Sequence, residues 1–296
     1  MNRNKPGGDT VTDGAELASK RREEACPCNR VRGVYHQDSI GVAGMRFSFG
    51  RTNKNGLTHE PTAAELPELA GADIAGLVHG KRMGGDFYQF ARANSERVVF
   101  GLLDVAGDAG ENRGIVEAAR EAFRTKGPAC LASDEVNEAD AMMEFCYELN
   151  RSIQGAAKGI RSCAAFLGCY NESLGTVCYV NAGHTPGLLR FDGNVSELPA
   201  TGMPLGLFSA STYEAPTAAV PKGGALLLAS RGVVEAARKR EEFGLQRLKE
   251  HFEKTPLASA QEVALAALDA VRQFVHSAAE QNDLTTLALV RPVTIR

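Results

Sequence analysis

The chain lacks most features that would assign a function class directly. Its 296 residues contain no apolar run of the roughly 18 residues that a membrane-spanning helix needs. The opening stretch, MNRNKPGGDTVTDG, has no apolar core of the kind a secretory signal carries. No membrane association is expected on these grounds, and a cytoplasmic location is. A basic block is missing as well: 33 Lys and Arg stand against 36 Asp and Glu, for a net charge of -3, which argues against nucleic acid as the main partner. The seven cysteines are odd in number and irregular in spacing, so they form no disulfide framework and are expected to be mostly small buried hydrophobes in a reducing compartment. Cys26 and Cys28 make a lone CPC, without a second Cys or His pair to complete a metal site. Internal repeats and long low-complexity tracts are absent. GLLDVAGDAG lacks the G-x-G-x-x-G spacing and the βαβ surroundings of a dinucleotide site.

What remains is an ordinary soluble composition, 44% hydrophobic and 23% charged, sufficient for a sizeable core. Residues 1–65 are rich in Gly, Asn, Thr and charge with weak periodicity, and read as a flexible or partly ordered leader. Residues 66–296 read as one domain. ADIAGLVHG, GGDFYQFAR and RVVFGLLDVAG are expected strands divided by turn residues. GIVEAAREAFRTKG is an expected helix, as is the stretch from about Glu135 to Ile153, where Met142, Phe145, Cys146 and Leu149 recur at helical spacing. SCAAFLGCY, GTVCYVNAG, PGLLRFDG and ALLLAS are further strands. A helical FGLQRLKEHFEK follows, then a helix opening on the capping box Ser259-Ala-Gln-Glu262, then a last strand, LTTLALVR. Hairpins rather than regular βαβ alternation predict an α+β domain of mainly antiparallel sheet.

Two carboxylates in this pattern should repel. If GGDFYQFAR and RVVFGLLDV form a hairpin turning at Ser95, Asp86 and Asp104 each lie nine residues from the turn and face each other to within a residue or two of register. Like charges opposite one another destabilise a sheet unless a cation intervenes, and hard cations such as Mg²⁺ and Mn²⁺ want oxygen ligands. Asp283, in QNDLTT before the last strand, is a third acidic candidate; the competing reading of all three is as turn or edge aspartates that cap backbone amides.

In order, GGDFYQF, LLDVAGDAG, YVNAGHTPGLLR, GMPLGLF, LLLASRGVVEA, EEFGLQRL and NDLTTLALVR resemble the successive motifs of the metal-dependent protein phosphatase (PPM) family, SpoIIE type, across roughly residues 66–292. The GGDF tetrapeptide also matches the diguanylate cyclase signature, but nothing after Tyr88 continues that likeness. The phosphatase resemblance implies two packed, mainly antiparallel sheets flanked by helices, with a two-metal site (Mn²⁺ or Mg²⁺) at one edge between them. It implies that Asp86, Asp104 and the backbone carbonyl of Val105 hold the second metal, that Asp104 bridges to the first, and that Asp283 binds the first. It also implies in-line attack on phosphorus by a water held between the metals, so that no nucleophilic side chain is needed and His184 shapes a loop. The implied partner is a phosphorylated regulatory protein, such as an anti-sigma-factor antagonist of the STAS type. Many members of that family work as dimers through helices preceding the domain; here AELASKRREE (Ala15 to Glu24) has helical character but is too short to specify a coiled coil, so a homodimer stays open.

One ligand position departs from the pattern. Where the family has the aspartate of a Thr-Asp-Gly, this chain has Arg231, in ALLLASRGVVE. A unit charge about 4 Å from another is worth about 4 kcal/mol at an effective dielectric of 20, so an inward guanidinium weakens the first metal by several powers of ten. Three readings follow: a one-metal site with slow or no hydrolysis, compensation by the extra acid Asp108, or an Arg231 that pairs with Glu235 or reaches the substrate phosphate. The rival function is a non-catalytic PPM fold that binds a phosphoprotein without hydrolysing it.

Overall fold

Two antiparallel sheets, each with helices on its outer face, carry the site between them. The computed structural model describes residues 62–63, 68–80, 85–107, 109–276 and 283–293; of the chain's two units, Met1–Thr52 and Asn53–Arg296, these all belong to the second. In chain order the first elements are β1 (Thr62–Ala63), β2 (Asp73–His79), β3 (Gly85–Arg92), β4 (Arg97–Val105), α1 (Ala109–Cys130) and α2 (Glu138–Ala156). Then come β5 (Cys163–Asn171), β6 (Thr176–Ala182), β7 (Gly187–Phe191), β8 (Asn194–Leu198), β9 (Thr217–Ala219) and β10 (Gly224–Ala229). The last are α3 (Arg231–Val234), β11 (Ala237–Arg238), β12 (Glu241–Glu242), α4 (Gly244–Lys254), α5 (Ala260–Val275) and β13 (Leu284–Arg291). One sheet has the order β1-β2-β13-β10-β7-β8 and the other β3-β4-β5-β6-β9, with β11-β12 as a separate ribbon.

Strand alternation divides the core into three layers. Tyr88, Phe90, Phe100, Leu102 and Phe166 of the five-stranded sheet meet Ile74, Leu226, Leu228, Leu287 and Leu289 of the six-stranded sheet. The alternate residues Val99, Leu103 and Leu167 face outward onto α1 and α2, where Phe123, Met142, Phe145 and Leu149 cover them. On the far side Ala225, Leu227 and Ala288 pack on Val263, Leu268 and Val271 of α5 and on Leu248 and Phe252 of α4. This is the two-sheet α+β sandwich that the motifs imply. Among the described residues, no helix is long and apolar enough to cross a membrane.

Several boundaries differ from the sequence expectation, each for a physical reason. The helix expected over GIVEAAREAFRTKG begins earlier, at Ala109, and runs past Gly127 to Cys130 with Pro128 inside it. Packing overrides the two breakers: a side chain at 127 would come 3.3 Å from the Phe145 ring, so the glycine lets the two helices close on each other. The second helix starts at Glu138 rather than Glu135, because the Asn137 side chain accepts the backbone N–H groups of Ala139 and Asp140 at 3.0 and 3.4 Å. Ser259 caps α5 by accepting the Glu262 N–H at 3.1 Å, as the capping box predicts. Four of the five described cysteines, Cys146, Cys163, Cys169 and Cys178, are buried free thiols, and burial pushes their ionisation upward, which makes them inert. Cys26 and Cys28 lie outside the described residues, as do Asp108 and the Ala15 to Glu24 stretch.

Candidate active site

Four strands change from apolar to polar at the same end of the inter-sheet layer. Counting in twos along the buried face, β3 runs Phe90, Tyr88, Asp86, and β4 runs Phe100, Leu102, Asp104. In the facing sheet β10 runs Leu226, Leu228 and then Ser230, while β13 runs Leu289, Leu287, Thr285, with Asp283 the next step beyond the strand. Where hydrophobic side chains would continue the core, this end holds three carboxylates and two hydroxyls.

The register brings the first two carboxylates face to face: Asp86 pairs with Asp104 across β3 and β4. Burial first, and then the charge of Asp104, push the Asp86 carboxyl up to about 8, while the Ser230 and Thr285 hydroxyls pull it partly back. Near neutral pH this carboxyl therefore holds a proton unless a cation takes the proton's place. The Thr285 hydroxyl donates to Asp86 Oδ2 at 3.2 Å. Ser230 and Thr285 are clasped to each other as well: the Thr285 N–H donates to Ser230 Oγ at 3.1 Å, and the Ser230 N–H donates to the Thr285 carbonyl at 2.8 Å. That clasp lets residues of one sheet aim hydroxyls at a carboxylate of the other.

The Val105 carbonyl lies beside the pair. A Cβ at position 85 would stand 2.4 Å from this oxygen, so the second glycine of GGD is what allows the strands to close here. The buried Asn112 donates its Nδ2–H to the same carbonyl at 2.9 Å. A carbonyl oxygen has two lone pairs, so this bond leaves it one further acceptor direction. Asp283 is buried, with its Oδ1 so close to Gly80 that a Cβ there would come within 2.4 Å. It lies at the same end of the layer, yet among the described residues no group of three or more His, Cys, Asp or Glu side chains is placed to hold a metal ion.

Arg231, the first residue of α3, stands with its Nε 3.6 Å from Asp104 Oδ2 and 3.8 Å from Glu235 Oε2. The side chain faces both carboxylates at once, and 59% of it is exposed. A cavity of about 280 Å³ opens here, with Asp104, Ser162, His184, Thr185, Arg231 and Glu235 among its lining. His184 is buried; its backbone N–H donates to Asn181 Oδ1 at 2.8 Å, and its Nδ1 lies 3.1 Å from both the carbonyl and the hydroxyl of Thr185. Because the Thr185 hydroxyl gives its own proton to the Ala229 carbonyl, Nδ1 is the ring nitrogen that carries a proton. Nε2 is thereby a bare acceptor, buried and without a hydrogen-bond partner among the described residues. Burial lowers the His184 pKa to about 4, so the ring is neutral at physiological pH.

Sequence reasoning named Asp86, Asp104, Val105, Asp283 and Arg231 but not Ser230, Thr285 or Asn112. For the first two a signal exists: each continues the alternation of its strand one step beyond the last apolar residue. Using it requires knowing that β10 and β13 are neighbours whose polar ends coincide, which is a property of the sheet order.

Comparison with known proteins agrees with this architecture. The model of the Stage II sporulation protein E (SpoIIE) family matches residues 94–292. The chain is 25% identical over 200 residues to the phosphoserine phosphatase RsbP of Bacillus subtilis, covering 67% of this chain and 48% of that protein. It is 24% identical over 232 residues to the phosphoserine phosphatase RsbU of the same organism, covering 77% of this chain and 66% of that one. The chain thus spans about half to two thirds of the length of these relatives. Among solved structures it is similar to the RsbU and RsbW domains of Rv1364c from Mycobacterium tuberculosis, with a TM-score of 0.61 and 22% identity, covering 78% of this chain and 62% of that one. A family match over most of the chain, on a sandwich of the PPM phosphatase type, means that this chain belongs to the SpoIIE family.

Proposed function

We propose that the chain is a PPM-type protein serine/threonine phosphatase that uses a divalent cation to hydrolyse phosphoserine or phosphothreonine on a regulatory protein. The observation that carries this reading is the direct opposition of Asp86 and Asp104. A fold that needed only stability would not set two carboxylates against each other at the end of its core, because the pair must take up a proton or a cation to persist.

The residues present fit one hard cation. Asp86 and Asp104 are oxygen donors, Gly85 leaves the Val105 carbonyl room to approach, and Mn²⁺ or Mg²⁺ prefers such ligands. These three groups would hold it; Asp283, which the family resemblance assigns to the other metal, lies at the same end of the layer but is not placed to join Asp86 and Asp104 on one ion. When bound, such a cation supplies Lewis acidity toward water and phosphoryl oxygens, the chemistry that makes a covalent phosphoenzyme unnecessary. The chain's own residues do the positioning. Ser230 and Thr285 orient the Asp86 carboxylate from the opposite sheet. Burial makes the His184 ring a weak base, and its backbone N–H and Nδ1 tie the loop to Asn181 and Thr185, which supports a structural role rather than that of a base. The guanidinium of Arg231 beside Asp104 disfavours a second cation on that carboxylate, so turnover slower than that of a two-metal site is expected. The substrate class follows the relatives named as phosphoserine phosphatases, and a small phosphorylated antagonist of the STAS type is the proposed form.

The test is phosphate release from a phosphoserine peptide across a Mn²⁺ titration. Wild type is expected to turn over only with the cation, and Asp104→Asn to lower the rate by roughly a hundredfold or more. A silent wild type, with activity gained by Arg231→Asp, would assign the fold to phosphoprotein binding instead.

A further inference from the structure

We infer that Arg231 is a resident cation that receives the phosphoryl group of the substrate, so that the site combines one divalent ion with one guanidinium. This rests on the phosphatase reading for its substrate class, but the anion site itself follows from geometry. Arg231 is held by charge and not by hydrogen bonds: its contacts to Asp104 and Glu235, at 3.6 and 3.8 Å, are too long for N–H···O bonds. Among the described residues no acceptor takes any of its five N–H groups. Two carboxylates thus place the guanidinium without using its donors, at the wall of the cavity that Ser162, His184 and Thr185 complete.

A planar fork with unspent donors matches a phosphate monoester dianion, which accepts two parallel N–H bonds and carries the charge to match. Asp104 sits between the two sources of positive charge. Its partner across the strands, Asp86, lies on one side, and Arg231 reaches it from the cavity side. A cation shared by Asp86 and Asp104 would then neutralise the carboxylates, leaving the guanidinium free to meet the anion. A second divalent ion on Asp104 Oδ2 would have to occupy the flank where the arginine already stands, and like charge opposes that.

The test counts cations and measures anion binding separately from turnover, using the full chain. Mn²⁺ titration by calorimetry, checked by electron paramagnetic resonance, is expected to give one ion per wild-type chain and two for Arg231→Asp. Inorganic phosphate is then titrated onto protein carrying one equivalent of Mn²⁺. Wild type is expected to bind it, Arg231→Gln to bind it about tenfold more weakly or worse, and Arg231→Lys to fall between, because lysine keeps the charge and loses the fork. Two Mn²⁺ ions on wild type, no phosphate binding by wild type, or unchanged phosphate affinity in Arg231→Gln would each overturn the inference. Turnover of a phosphoserine peptide by the same preparations separates the two claims. Phosphate held through Arg231 without turnover at any Mn²⁺ concentration leaves the anion site standing and removes the phosphatase reading. Turnover by a wild type whose phosphate affinity ignores Arg231 does the reverse.

Discussion

Arg97 and Arg231 stand at opposite ends of β4, and the fold treats them in opposite ways. The side chain of Arg97, at the start of the strand, is 8% exposed; its Nε donates to Glu138 Oε1 at 2.7 Å, while its Nη1 and Nη2 donate to the carbonyls of Ser133 and Asp134 at 3.1 and 3.2 Å. Asn171 closes the network by donating to the same Glu138 oxygen at 2.7 Å. The Arg231 side chain, beside Asp104 at the other end, is 59% exposed and forms no hydrogen bond among the described residues. One guanidinium is consumed by the structure it joins: it ties the α1–α2 connection and the first turn of α2 to the sheet. The other is positioned and left unspent. A buried ion pair with a hydrogen bond from each guanidinium nitrogen has a structural role, whereas an arginine aimed at a cavity with its side-chain donors idle is available to a ligand.

The comparison breaks most visibly if Arg97 can be removed cheaply. Arg97→Ala leaves Glu138 short of its cation in a largely buried setting, and is expected to cost about 3 to 5 kcal/mol in urea unfolding. A loss below about 1 kcal/mol would mean that the closed end of β4 is no more structural than the open one.

The next effect concerns His184, a buried group at the open end. Its pKa is lowered from 6.5 to about 4 in the fold, so the unfolded chain takes up a proton that the folded chain refuses. That contribution is fully present above pH 6.5 and is lost as the pH falls toward 4, a loss of up to about 3 kcal/mol. Unfolding curves for wild type and His184→Asn at pH 7 and pH 4.5 isolate it: the stability difference between the two proteins should shrink toward acid. A constant difference would show that the imidazole ionises freely within the fold.

Smallest of all should be the stability change of Arg231→Ala. An exposed ion pair at these distances contributes less than about 1 kcal/mol, so its melting temperature should stay close to that of wild type while phosphate affinity falls. A large drop in stability would place Arg231 in the same class as Arg97 and remove the contrast.

The strongest sequence signals came from long apolar strands. LTTLALVR is β13 residue for residue, and counting outward from Ser95 puts Asp86 opposite Asp104, the register observed. Such strands announce themselves because hydrophobic patterning fixes both their existence and their facing. The short edge strands do not: β9, β11 and β12 are two or three residues long, mostly exposed, and are defined by backbone pairing that any polar sequence can supply. The start of α1 was hidden for a related reason, since AGENRG carries no helical apolar stripe and its buried Asn112 is polar. Arg231 could be located but not oriented, because the direction of a long side chain depends on neighbours such as Asp104 that arrive from distant parts of the chain.

The alternation that builds the site also limits how the protein can change. Asp86, Asp104, Ser230 and Thr285 reach their places by the same two-residue step that sends Tyr88, Leu102, Leu228 and Leu287 into the core. Inserting or deleting one residue within β3, β4, β10 or β13 would therefore turn the polar groups outward and the apolar groups with them. Core and site share a single reading frame along each strand. A lineage could revise this protein's chemistry by exchanging residues at the strand ends, but not by altering the length of the strands that deliver them.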